Sequence, residues 1–297
     1  MRDDQAVMGE QGMDLVGKVA VVTGGASGIG RAIAEELAAR RCRVMVADLD
    51  LDRAMAVAAD LGGPALATKC DVSDHASVAA LADRVESTLG PVDLVFANAG
   101  VSFGGVLING TPEQFDWVFG INSRGVWNTV SVFAKRLMAA DRPGRLCVTA
   151  SEHALGFQHP GSGFYTASKH AALGLCEIFR AELPESISIS AFCPGLTATD
   201  LHHSQRHSPW GPADPAASEF GGKILGQGMP ADVVAKAAVD GTMRGDFYVV
   251  SHAVSAVAAR RRWDEIETAF AAQAPWTEDA AKYDVMRVIG ELQGGGQ

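Results

Sequence analysis

At 297 residues, 47% hydrophobic and 20% charged, the chain can build one large core and has the balance of a soluble globular protein. Its net charge of −10 argues against a nucleic-acid or anionic-membrane surface, and no apolar run reaches the length of a membrane span. A small molecule, rather than nucleic acid or a membrane, is the expected partner.

Residues 1–12 are polar and lack the basic-then-apolar order of a signal peptide, so they read as a disordered leader, with Met13 an alternative start. The domain is then expected over 13–253, with a helical extension over 254–297. Lys18–Thr23 ("KVAVVT") is an apolar, β-branched run ending in glycines, a buried strand. A helix follows over 28–40, a strand over 42–48 and a helix over 50–61. Further strands are predicted near 65–70, 92–97, 145–150, 187–193 and 246–250. Helices are predicted near 74–89, 112–139, 164–183, 231–243 and 254–273. Strands alternating with helices and apolar on both faces imply a single α/β domain: a doubly wound, seven-stranded parallel sheet covered on both sides.

Residues 201–228 interrupt this rhythm, being rich in Gly, Pro, Ser and His without a clear period. Following the sixth strand, they are placed to act as a substrate lid. Trp210, Phe220 and Met229 in or beside it suit an apolar ligand or the core. His202, His203 and His207 include an i,i+4 pair, but no acid or Cys accompanies them, and no metal is expected. Cys42, Cys70, Cys147, Cys176 and Cys193 form no CxxC and sit mostly in apolar runs, the pattern of reduced core thiols in a cytoplasmic protein. Arg260, Arg261 and Arg262 read as a solvated helix face. No GxSxG elbow is present, which argues against a serine hydrolase.

"TGGASGIG" (23–30) follows the first strand and opens a helix. Gly24, Gly28 and Gly30 let the backbone turn tightly and approach a pyrophosphate at the positive helix N-terminus, as in a Rossmann domain, although the spacing is GxxxGxG. Asp48 ends the second strand, where an acid can accept from a ribose 2′-OH and would repel a 2′-phosphate. NAD is therefore favoured over NADP. No basic residue stands at Ser27 or directly after Asp48, and Arg53, a turn beyond Asp48, is the residue that could reverse this preference. Asp71 can reach the adenine or cap the next helix. Tyr165 and Lys169, one helical turn apart, share a face, and an ammonium beside a phenol pulls its pKa down towards a usable base.

From about residue 15 to 250 the chain resembles the short-chain dehydrogenase/reductase family in its non-extended branch. The likeness rests on "TGGASGIG", "CDV" (70–72), "ANAG" (97–100), "IN" (121–122), "TAS" (149–151), "YTASK" (165–169) and "PGLTAT" (194–199), in the family's order and spacing. Ala97 departs from the family's more frequent Asn. The resemblance implies a catalytic tetrad of Asn122, Ser151, Tyr165 and Lys169. In it Tyr165 is the general acid/base, and Lys169 lowers its pKa and holds the nicotinamide ribose. Ser151 bonds the substrate oxygen, and Asn122 holds a relay water. It also implies cofactor contacts from Gly24, Ser27, Gly28, Ile29 and Gly30 in the loop, and from Asp48, Asp71 and Val72 at the next two strand ends. Asn98, Ala99 and Gly100 would lie near the adenosine ribose. Pro194, Gly195, Leu196 and Thr199 would lie near the nicotinamide.

The implied activity is hydride transfer between NAD and a secondary alcohol or ketone by a homodimer or homotetramer. The tail, "GDFYVVSHA" and the helix after it, resembles relatives acting on bulky or aromatic secondary alcohols, including bacterial oxidation of the benzylic alcohol of lignin-type aryl ethers. A non-catalytic dinucleotide sensor, or an NAD-dependent epimerase or dehydratase, are the competing readings. Ser151 lies fourteen residues before Tyr165, one more than is usual, and the usual spacing would fall on Glu152. A bulge is expected to keep Ser151 facing the site and turn Glu152 away, because a carboxylate cannot donate to the substrate oxygen. Glu152 and His153 either touch substrate or face solvent.

Overall fold

Val19 to Thr23 are buried without exception, which requires cover on both faces of the sheet. The computed structural model describes residues 14–294, so the leader at 1–12 and the alternative start at Met13 lie outside the described residues. The chain runs β1 (Val19–Thr23), α1 (Gly28–Ala39), β2 (Arg43–Asp48), α2 (Leu51–Leu61), β3 (Leu66–Lys69), α3 (His75–Thr88) and β4 (Leu94–Ala97). It continues through α4 (Pro112–Phe119), α5 (Gly125–Ala139), β5 (Gly144–Thr149), α6 (Glu152–Leu155), α7 (Gly163–Glu182) and β6 (Ile187–Cys193). It closes with α8 (Pro215–Leu225), α9 (Ala231–Arg244), β7 (Tyr248–Val250), α10 (Ser255–Gln273) and α11 (Val285–Gly294).

The seven strands pair in parallel in the order β3-β2-β1-β4-β5-β6-β7. Chain direction across the sheet reverses between β1 and β4, and it is outside the carboxyl ends at such a switch point that ligands bind in open α/β sheets. One core layer joins Ile33 and Leu37 of α1, Val57 of α2 and Val234 and Val239 of α9 beneath one face. The other joins Leu81 of α3, Phe133 of α5 and Cys176 of α7. This is the doubly wound α/β fold. Helix starts follow local capping chemistry: the Asp50 and Asp74 side chains accept from the first turns of α2 and α3, and Thr111 and Gln114 form a reciprocal box at α4.

Two predicted segments differ. The helix expected over 112–139 is interrupted by a π turn at Gly120–Arg124, in which the Gly125 N–H reaches back to the Gly120 carbonyl. The lid expected without period over 201–228 holds a 3₁₀ turn at Leu201–His207 and α8, whose Asp214 cap and Pro215 start are a local helix signal. Among the described residues no helix is long and apolar enough to cross a membrane. All five cysteines are buried and free.

Candidate active site

The glycine loop is built by close approach. Gly24 has φ +64°, and a Cβ there would stand 2.7 Å from the Ala99 Cα; a Cβ at Gly30 would stand 2.1 Å from the Gly24 carbonyl oxygen. Only glycine lets the loop fold between β1, β4 and the start of α1. Ser27 precedes α1 in extended conformation, and its hydroxyl makes no capping bond. No side chain therefore caps the first-turn N–H groups of Gly28 and Ile29, which suits an anionic oxygen.

The strand ends beside the loop are tied to it. Asp48 accepts from the Ala26 and Asp50 N–H groups, each at 3.0 Å. Asn98 donates to the Thr23 carbonyl at 3.2 Å and accepts from the Thr149 hydroxyl at 3.0 Å, stitching β1 to β4 and β5. Asp71 accepts from the Ser73 N–H and hydroxyl, whereas Asp74 caps α3, so the capping alternative for Asp71 is not the one the structure shows. Val72 is buried against Gly125.

These residues open into one continuous cleft of ≈ 2080 Å³ that reaches Ser151, Tyr165, Lys169 and the segment Pro194–Thr199. Its volume exceeds the range of about 300–1,000 Å³ usual for a small-molecule pocket, leaving room for a dinucleotide and a second ligand. Lys169 is 3% exposed and donates to the Thr149 carbonyl at 2.8 Å. Burial depresses its pKa to about 8. Tyr165 lines the cleft floor, where burial pushes the phenol above its ordinary value. The Ser151 hydroxyl beside it favours the phenolate, while the Glu152 carboxylate opposes it. The expected lowering by Lys169 is therefore not found in the protein alone. Its ammonium is 5.7 Å from the ring centroid and is itself destabilised by burial.

Asn122 lies within the π turn and is fully buried. Its amide accepts from the Val101 N–H at 2.8 Å and donates to the Val101 carbonyl at 2.9 Å and the Ser168 hydroxyl at 3.0 Å. Protein partners thus take three of the four hydrogen bonds this amide can make, and one lone pair of its oxygen is left over. Between Ser151 and Tyr165 the chain forms the short helix α6 and then a loop to the start of α7. Ser151 is buried and caps that short helix by accepting from the His153 N–H, and Glu152 accepts from the Ser255 hydroxyl of α10. His153 stands edge-on to the Tyr165 ring and close to the Thr166 hydroxyl, and burial, then the nearby His159, His170 and Lys169, lower its pKa to about 4.

The segment expected to be a lid is held by Ser204, which accepts from the Ser102 N–H and donates to its carbonyl, and by Trp210, edge-on to Phe103 and Trp117. Of the apolar residues read as suiting a ligand or the core, Trp210 lines the cleft, Phe220 is 67% exposed and Met229 packs on the core. Among the described residues no cluster of three His, Cys, Asp or Glu side chains is arranged to hold a metal.

Two contributors were not singled out from sequence. The start of α10 walls the cleft through Val254, Ser255 and Ala258; Arg262, expected on a solvated helix face, is instead half-buried and donates to the Ala154 carbonyl, because α10 packs against α6. His252, just past β7, bonds the Gly195–Leu196 backbone. A polar residue directly after a parallel strand was the available signal, since ligands lie beyond those ends.

Residues 18–210 match the sequence profile described as short chain dehydrogenase. The chain belongs to the short-chain dehydrogenase family. A short-chain dehydrogenase/reductase of Burkholderia phymatum, solved in complex with NAD, is 32% identical with a TM-score of 0.81, covering 89% of this chain and 99% of that one. An alcohol dehydrogenase of Thermococcus sibiricus complexed with 5-hydroxy-NADP is 28% identical with a TM-score of 0.64, covering 78% and 95%. The 2,3-dihydro-2,3-dihydroxybenzoate dehydrogenase of Bacillus subtilis is 32% identical over 192 residues, 63% of this chain and 73% of that one. This short-chain dehydrogenase is thus an oxidoreductase on the family's seven-stranded sheet.

Proposed function

We propose that the protein transfers a hydride between NAD and a secondary alcohol or its ketone carrying a bulky apolar or aromatic group. The observation that supports this best is the single cleft running from the glycine loop and the uncapped start of α1 to the buried Ser151 and Lys169 and the half-buried Tyr165. The dinucleotide would lie with its pyrophosphate at Gly28 and Ile29, its adenosine ribose at Asp48 and its nicotinamide against Gly195 and Leu196. Once bound, it supplies the redox step.

In alcohol oxidation the Tyr165 phenolate takes the hydroxyl proton, and Ser151 donates to the oxygen as charge develops there. In ketone reduction Tyr165 returns the proton, a role its raised pKa suits directly. Lys169 contributes positive charge beside both, and Asn122 holds the Val101 backbone and Ser168 in place. Phe103, Trp117 and Trp210 on the lid side favour an aromatic substrate. Arg53 reaches towards Asp200 at 3.4 Å, so its charge is partly answered and NAD remains preferred. Exposed Trp127 and Met138 on α5 and Ile178 on α7 support a homo-oligomer, which light scattering would test.

The deciding experiment screens aliphatic, benzylic and steroid alcohols for NAD reduction by wild type and Tyr165→Phe. Benzylic turnover that falls about a hundred- to ten-thousand-fold in the variant, with NADH binding retained, is the expected result. A Phe variant keeping a tenth of wild-type turnover overturns the assignment of Tyr165.

A further inference from the structure

Past β7 the chain turns at Ser251 and His252 and lays an imidazole against the segment leaving β6. His252 Nδ1 lies 3.0 Å from the Gly195 nitrogen, and Nε2 lies 2.8 Å from the Leu196 carbonyl oxygen. A backbone N–H can only donate and a carbonyl can only accept, so Nδ1 carries the lone pair and Nε2 the proton. The Ser251 hydroxyl, 2.9 Å from Nδ1, shares that acceptor. The ring also fills the space a side chain would need at 195, since a Cβ there would stand 2.8 Å from the imidazole Cγ. The segment is fixed on its other sides by the Glu152 N–H on the Pro194 carbonyl and the Met229 N–H on the Leu196 carbonyl, both at 2.9 Å.

Few side chains can answer this demand. A donor and an acceptor on adjacent residues must be met together by one rigid group, which a neutral imidazole does with its two nitrogens. We propose that His252 is a positioning residue for the cofactor: it fixes the Gly195–Leu196 backbone and so sets where the nicotinamide lies relative to Tyr165. This rests on the reading that the segment meets the nicotinamide. The adenosine half would lie at the glycine loop and Asp48, on the other side of the switch point, and owes nothing to His252.

That asymmetry supplies the test. Affinities of NADH and of ADP-ribose, which lacks the nicotinamide, are measured for wild type, His252→Phe and His252→Asn, with melting temperatures and kcat alongside. The Phe variant is expected to weaken NADH about tenfold and lower kcat, while ADP-ribose stays within about twofold. The Asn variant keeps an acceptor for the Gly195 N–H and is expected to recover much of the loss. His252→Ala provides the same comparison should the Phe ring not be accommodated. NADH affinity and kcat unchanged in the disruptive variant, a parallel loss of both ligands, or an Asn variant no better than it each overturn the proposal. Wild-type protein that binds neither ligand overturns the cofactor reading itself, and the proposal with it.

Discussion

Lys169 Nζ sits 5.7 Å from the centroid of the Tyr165 ring and gives its hydrogen bond to the Thr149 carbonyl, 2.8 Å away. Burial then acts on both groups in the direction that disfavours charge, lowering the lysine to about 8 and raising the tyrosine. At neutral pH the tyrosine is thus uncharged, and it is the buried lysine that carries an unfavourable charge in the folded protein.

Lys169→Met should accordingly abolish turnover while raising stability at neutral pH, by about 1–3 kcal/mol once the lost bond to Thr149 is discounted. The folded pKa lies below the ordinary 10.5, so the penalty is complete below about pH 8 and vanishes towards 10.5. Melting curves of both proteins across that window should close and then cross, wild type being the more stable at the alkaline end by its bond to Thr149. A Met variant less stable than wild type at pH 7 contradicts the account.

Ser151 and Glu152 act on the Tyr165 phenol with opposite sign. Ser151→Ala should cost about a hundredfold or more in turnover, as loss of a transition-state donor does, and move the rise of oxidation rate to higher pH. Glu152→Gln removes the repulsion and should move that rise to lower pH with a much smaller change in turnover. Profiles of kcat/KM for alcohol oxidation against pH check both, and shifts in the reverse order would exchange the two roles.

For cofactor choice, Asp48 holds the Ala26 N–H as well as facing the cleft. Wild type is expected to prefer NAD by about tenfold or more in kcat/KM, since a 2′-phosphate would meet the carboxylate. Asp48→Ala should narrow that preference, chiefly by weakening NAD. A wild-type preference for NADP would assign the phosphate to Arg53, or to Arg206, which lines the cleft within reach of the Asp48 charge.

His153 is neutral at working pH because burial lowers its pKa from 6.5 to about 4. An unfolded chain binds this proton more readily, so stability is complete above about pH 6.5 and falls as pH drops through 4. The loss amounts to at most about 3 kcal/mol. His153→Gln should flatten the melting temperature between pH 4 and 6.5, and an equally steep acid loss in the variant would assign it to other groups.

The sequence alone determined the order of the seven strands and of the longer helices between them, though not α6, α8 or the break between α4 and α5, because each of those strands is a short apolar run and those helices carry a period or cap encoded within a few residues. "TGGASGIG" was legible for the same reason: a glycine loop between strand and helix is a local statement. The Tyr165–Lys169 spacing placed both on one face of α7, but could not say where the ammonium's hydrogen bond goes. Thr149 took it from β5, twenty residues away.

Tertiary packing decided the remainder. The π turn around Asn122 differs from an α-helix by one residue per bond, and Asn122 within it is bonded to Val101, far back in the chain. Glu152 was a carboxylate without an address until α10 brought Ser255 to it, and His252 was a residue after a strand until β7 set it beside Gly195. The physical reason is common to these residues. Side-chain identity and spacing are local, whereas desolvation and hydrogen-bond partners depend on which distant elements close over the group, and those set its charge and its role.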